Sequence, residues 1–197
     1  MVPWEKLLHL GDISMTLAAA AAITAWLVAA RAWRMAFWWS LLFAVGIGVV
    51  GASKIAFLAW GNALPALNFK AASGHAAGVT AVFPTLLYLL FRRSGWRVRA
   101  TAAAAGLAAG ALMGVLLVVL GQHSAAEAAA GWTLGAMVGL GAIWMAGELP
   151  PRPAYALLCS SIVFVTAACL MRSVPVGWLM FRTARILSAH SALFPWS

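Results

Sequence analysis

Charge is what this sequence has least of. Only 9% of its 197 residues are Asp, Glu, Lys or Arg, and the acidic ones number four. An ordinary soluble domain is about a quarter charged and roughly half apolar. Here 64% of the residues are hydrophobic and the mean hydropathy is +0.95. The shortage excludes a water-soluble globular domain and points to an integral membrane protein. Cysteine is equally scarce, being confined to Cys159 and Cys169. Ten residues apart on one helix, they would stand about 15 Å apart along its axis, beyond disulfide reach, and are expected as small core residues. With four histidines and four acidic residues, few side chains can do chemistry. None form a cluster with metal-ligand spacing, so neither a metal nor a cofactor is expected. The first residues lack a basic region ahead of a short apolar stretch and a cleavage site, so no removable signal peptide is expected.

Long apolar runs are what the sequence does have. Runs of about 17 to 25 residues suffice to cross a hydrocarbon core of roughly 30 Å. Six are expected, over about 12–30, 35–60, 74–91, 100–121, 127–145 and 154–171. The expected fold is therefore all-α, a six-transmembrane-helix bundle forming one integral membrane domain over 1–197. Residues 1 to 11 read as a short interfacial segment and about 173–197 as an amphipathic interfacial tail. Tryptophan is abundant, at 11 residues. Trp33, Trp38, Trp39, Trp60, Trp96 and Trp178 fall near span ends, where interfacial anchoring is expected. The connection over 61–72, with Asn62, Pro65 and Asn68, is turn-prone, and Glu148 to Pro153 breaks the chain again.

The formal net charge of +9 does not imply nucleic acid, because the basic residues lie between apolar spans rather than along one face. Six spans put the connections near Arg31, Arg92 and Arg152 on one side and those holding His75 and His123 on the other. The first set carries seven arginines and the second Lys70, with Lys54 at its border. The positive-inside rule then places the histidines outside. Arg172, Arg182 and Arg185 in the tail run against this rule, unless the tail lies flat on anionic lipid.

Ser73-Gly74-His75 precedes an apolar helix whose first free amides would face an anion. Ser73 adds a hydroxyl and Gly74 allows close approach; a routine N-cap explains Ser73 equally well. His123 and Glu127, four positions apart, share a face if a helix begins near them. A carboxylate on one imidazole nitrogen leaves the other free to attack or take a proton. The competing reading is a pair of solvated turn residues. Lys54 sits within an apolar run, where an ammonium is expensive; it either offers a fixed charge to a phosphate or snorkels to the interface. Lys70 is a second candidate for that role. Asp12 is expected as a helix cap, and His9 and His190 as interfacial residues.

Taken together, these residues resemble the type 2 phosphatidic acid phosphatase superfamily. Its signatures are Lys-x6-Arg-Pro, Pro-Ser-Gly-His and Ser-Arg-x5-His-x3-Asp. The counterparts here are Lys54, then Ala72-Ser73-Gly74-His75, then His123 to Glu127, over about 54–140 in matching order. The resemblance implies that His123 is a nucleophile attacking phosphorus, Glu127 its orienting partner and His75 the general acid. It also implies that Lys54, Ser73, Gly74 and Lys70 hold the phosphoryl oxygens, without a metal. Gly61 and Asn62 replace the first Arg-Pro, Ala72 the proline, Glu127 the aspartate, and Leu116-Leu117 the Ser-Arg. Both signature arginines are thus absent, and each charge-assisted bond they would make is worth roughly 1.5 to 3 kcal/mol.

The expected function is a metal-independent lipid phosphatase or phosphotransferase acting through a phosphohistidine. The implied substrate is a phospholipid, isoprenyl or lipid A phosphate at the periplasmic face of a bacterial inner membrane. The alternative is a weak or inactive member that keeps the pocket to bind a lipid phosphate headgroup or a partner membrane protein.

Overall fold

The computed structural model describes residues 8–147, 155–171, 173–188 and 193–194. Residues 1–7 of the expected interfacial segment, the break expected at 148–153, Arg172 and His190 lie outside the described residues. The rest is all-α, as expected. A short 3-10 turn, His9–Gly11, leads into α1 (Ile13–Ala29), followed by α2 (Trp33–Trp60), α3 (Gly74–Leu90), α4 (Trp96–Val119), α5 (Ala125–Met145), α6 (Tyr155–Met171) and α7 (Val176–Leu187). Among the described residues the only extended pairing is an isolated bridge between Leu64 and Phe69, in the connection from α2 to α3.

Each expected span coincides with a helix, but six crossings do not follow from length. α2, α4 and α5 are long and apolar enough to cross a membrane; α6 and α7, bent by 57° at their junction, add a fourth if they act as one span. α1 and α3 have 17 residues each and rise about 25 Å, short of a hydrocarbon core of roughly 30 Å.

α2 is apolar on every side. It presents Trp33, Phe37, Leu41, Val45 and Val49 outward at every fourth position, a stripe that would be costly in water. Its other face buries Met35, Trp39 and Phe43. Trp39 departs from the interfacial role expected for it. Its ring is fully buried and its indole N–H donates to the Ala20 carbonyl at 3.2 Å, because α1, made largely of alanine, leaves room for it. Trp33, Trp60, Trp96 and Trp178 are exposed. Neither cysteine is a core residue: Cys159 is half-buried and Cys169 exposed.

α3 is the axis of the bundle, packed most extensively against α4 and α5. The close approach comes from glycines. Gly131, Gly135 and Gly139 repeat at every fourth position along α5 and seat it on the backbone carbonyls of Ser73, Ala77 and Ala81; a Cβ at Gly139 would stand 2.9 Å from the Ala81 oxygen. Small residues on one face let helix backbones meet without a hydrophobic driving force. This contact brings the first turn of α5 against the first turn of α3. Charged residues divide accordingly: Arg31, Arg34, Arg92, Arg93, Arg97 and Arg99 lie at the ends opposite the starts of α3 and α5.

Candidate functional site

Two turns set the site. α4 ends at Gly121, whose φ of +69° is the left-handed geometry that glycine accepts without strain. The amide of Gly121 donates to the Val118 carbonyl at 3.0 Å and that of Gln122 to Leu117 at 2.9 Å, the paired bonds of a Schellman stop. His123 follows at once, its own amide 3.2 Å from the Leu117 carbonyl. Ser124 then caps α5 in a capping box with Glu127.

Glu127 does more than cap. One carboxylate oxygen accepts from His123 Nδ1 at 2.8 Å and from the Ser124 amide at 3.2 Å. The other accepts from the Lys70 amide at 2.9 Å. The His123 and Glu127 side chains are only 9% and 8% exposed, which removes the reading of a solvated turn pair. Buried ions persist only when their hydrogen bonds are made, and this carboxylate makes three. With Nδ1 committed to Glu127, Nε2 is the nitrogen left to His123.

Ser73 starts α3. Its hydroxyl accepts from the Ala76 amide at 3.4 Å, so the routine N-cap is what the structure contains. Its backbone N–H donates to the Glu127 carbonyl at 3.0 Å, which ties the two helix starts together. Gly74 and His75 occupy the first turn, where amides have no intrahelical acceptor.

A cleft of about 550 Å³ opens beside that turn, with Asp12, Lys54, Gly74 and His75 among its lining residues. A Cβ at Gly74 would lie 3.8 Å from Lys54 Nζ, so the ammonium stands over the helix start. Asp12 and Lys54 are the charged side chains that line the cleft with His75. Met171, Val174, Val176, Gly177 and Met180, at the α6–α7 junction, form an apolar wall.

His75, Lys54 and Gly74 therefore share one cleft, while His123, Glu127, Ser73 and Lys70 are not among its lining residues. Lys70 contributes its backbone amide, and its ammonium stands 5.8 Å from the Phe57 ring centroid. Leu117, where the signature arginine would be, is fully buried in an apolar cluster with Leu8, Ala76, Val79 and Met113.

Asp12 is not the side-chain cap expected of it. It precedes α1 but makes no capping bond with its carboxylate. That group instead bonds His75 Nε2 at 3.1 Å and His9 Nδ1 at 3.0 Å. Asp12 and His75 are 63 positions apart, and no local spacing announces the pair.

No protein-family model matches the chain, and no solved structure matches it. Over 134 residues it is 36% identical to an uncharacterized 22.5 kDa protein in the cps region of Klebsiella pneumoniae. The alignment takes in 68% of this chain and 64% of that protein, so the chain spans less than two thirds of the relative's length.

Proposed function

We propose that the protein is a metal-independent membrane lipid phosphatase or phosphotransferase that works through a phosphohistidine on His123. The observation that carries this reading is the buried His123–Glu127 pair, 2.8 Å apart, joined through Ser73 to the helix start that bears His75. Glu127 fixes the proton of His123 on Nδ1, so Nε2 holds the lone pair for phosphorus when a phosphate passes beyond the cleft to lie between the starts of α3 and α5. As the Nε2–P bond forms, the ester P–O bond breaks and its electron pair leaves with the oxygen, which takes a proton from His75. In the second half, His75 accepts a proton from water as its oxygen attacks phosphorus. The P–N bond then breaks and its electrons return to His123. Lys54 and the amides of the first turn of α3 offset charge on the phosphoryl oxygens.

The apolar wall beside Lys54 and His75 suits an amphiphile whose phosphate enters the polar end of the cleft. On this reading all six apolar helices cross the bilayer, with α1 and α3 accommodated within the bundle. The arginine-rich connections then lie inside and the histidines at the outer, periplasmic face. The test is phosphate release by purified protein from phosphatidate, phosphatidylglycerol phosphate, an isoprenyl pyrophosphate and lipid A. Wild type is expected to turn over at least one of them and His123→Ala to lose that turnover. Equal release by both proteins would remove His123 from the mechanism.

One observation favours a second reading. The apolar packing around Leu117 puts no cation where the superfamily has its arginine. A protein so built could hold a lipid phosphate headgroup without turning it over. Headgroup binding that survives His123→Ala, with no turnover of any substrate by wild type, would select this reading.

A further inference from the structure

We propose that Asp12 is a positioning residue for His75, fixing its proton on Nε2 and turning Nδ1 toward the cleft; this rests on the phosphatase reading for its consequence in catalysis. The carboxylate lies 3.1 Å from His75 Nε2. Among the described residues Nδ1 makes no hydrogen bond, and His75 lines the cleft beside Lys54 and Gly74. Gly11 completes the cradle: a Cβ there would stand 3.0 Å from His75 Cβ and 3.1 Å from Cδ2. The turn His9–Gly11 and the start of α1 thus close on the imidazole.

The arrangement repeats, in mirror sense, what Glu127 does for His123. There a carboxylate takes Nδ1 and leaves Nε2; here a carboxylate takes Nε2 and leaves Nδ1. With Nε2–H held on Asp12, Nδ1 is the nitrogen that carries the second proton, the one a general acid must hold before the leaving oxygen departs. Once Nδ1 has given its proton, the neutral ring keeps its Nε2 proton on Asp12 and offers the Nδ1 lone pair to water. Asp12 therefore keeps one nitrogen facing the substrate through both halves of the reaction. The charged and titratable groups facing His75 are Asp12, with His9 behind it, from the N-terminal turn, Lys54 from α2, and His123 from the connection before α5. His9, with 72% of its side chain exposed, braces the second carboxylate oxygen from outside.

The experiment uses full-length protein in detergent micelles with ¹⁵N-labelled histidine, in wild type, Asp12→Asn and Asp12→Glu, with His75→Gln to assign the resonance. At a pH where the ring is neutral, wild type is expected to show His75 with its proton on Nε2. Asp12→Asn should show a mixture of tautomers and Asp12→Glu a return toward wild type, while the His123 resonances stay in place as the control for folding. With dioleoyl phosphatidate in the same micelles, Asp12→Asn should lower kcat about 10- to 100-fold, the range seen when the carboxylate that orients a metal-bound histidine is removed, and leave KM within about twofold. An unchanged His75 spectrum in Asp12→Asn would overturn the inference, as would an altered spectrum with kcat intact. If wild type releases phosphate from no substrate, the phosphatase reading fails by itself, and the tautomer measurement still decides whether Asp12 holds His75.

Discussion

Replacing Glu127 by Gln removes one negative charge and one acceptor oxygen while keeping the side chain's shape. The wild-type carboxylate receives three donors: His123 Nδ1, the Ser124 amide and the Lys70 amide. An amide has only one acceptor oxygen. If that oxygen faces Lys70, the NH₂ group points at the Ser124 N–H, donor against donor, and forces Nδ1 of His123 to become an acceptor. The proton then moves to Nε2, the nitrogen needed for attack. If the oxygen faces His123 and Ser124, the tautomer survives but the NH₂ group meets the Lys70 N–H. Either way a buried bond to a charged group is lost, worth about 1.5 to 3 kcal/mol of stability. The first orientation also carries a loss of roughly 10⁴ in kcat, the scale seen when a triad histidine is held in the wrong tautomer. The assays are thermal unfolding in detergent and initial-rate phosphate release from the substrate that wild type turns over. A Glu127→Gln protein that unfolds earlier yet turns over at the wild-type rate would show that the carboxylate is structural. A protein unaltered in both would refute the geometry itself.

Four further outcomes follow from the packing and from the charge of Lys54. Leu117→Arg, which restores a signature arginine, should fail to raise turnover and should destabilise by several kcal/mol, because the side chain is fully buried among Leu8, Ala76, Val79 and Met113 and a lone buried charge is penalised; a gain in phosphate release would show that this space opens to the phosphate. Gly131→Ala should lower the unfolding temperature, since its methyl would meet the Ser73 carbonyl at an overpacking cost of about 1 to 3 kcal/mol. Gly48→Ala, with nothing within 4 Å of the added methyl, should leave stability unchanged or improve it by up to about 1 kcal/mol. Lys54→Met should weaken phosphate binding by about 10- to 150-fold, the equivalent of one charge-assisted bond, read as a rise in KM; a fall in kcat alone would place the ammonium on the transition state rather than the bound ester.

The helices were legible because apolar length and its interruptions are local properties. α1 and α3 begin and end within a residue or two of their expected bounds, as do α5 and α6, and the breaks fall at Arg31, Asn62, Arg92 and Gly121, as charge and turn chemistry dictate. What length could not give was a count of membrane crossings, since 17 residues sit at the lower edge of what spans a bilayer. The fate of Trp39 was also hidden: its position near the start of α2 matches Trp38, and only the alanine face of α1 decides that one ring is swallowed. The His123–Glu127 pair was readable because a four-residue interval on a helix start is itself a geometric statement. Its burial was not readable, because that comes from Gly131 seating α5 against Ser73.

Asp12 shows where such reading stops. Its sequence neighbourhood, an acidic residue ahead of an alanine-rich helix, has a sufficient local explanation in capping. The side chain nonetheless declines that role. The Asp12 carbonyl accepts the first intrahelical bond of α1, from the Thr16 amide at 2.9 Å, and the Thr16 hydroxyl at 3.1 Å, while the carboxylate turns toward α3. Thr16 in turn fits against α3 only because residue 78 is glycine; a Cβ there would stand 2.9 Å from Thr16 Cβ. This one small residue thus sets the depth at which α1 meets α3, and that depth brings Asp12 within 3.1 Å of His75. Widening residue 78 to valine should therefore part Asp12 from His75 without touching either, and produce the His75 tautomer mixture expected of Asp12→Asn.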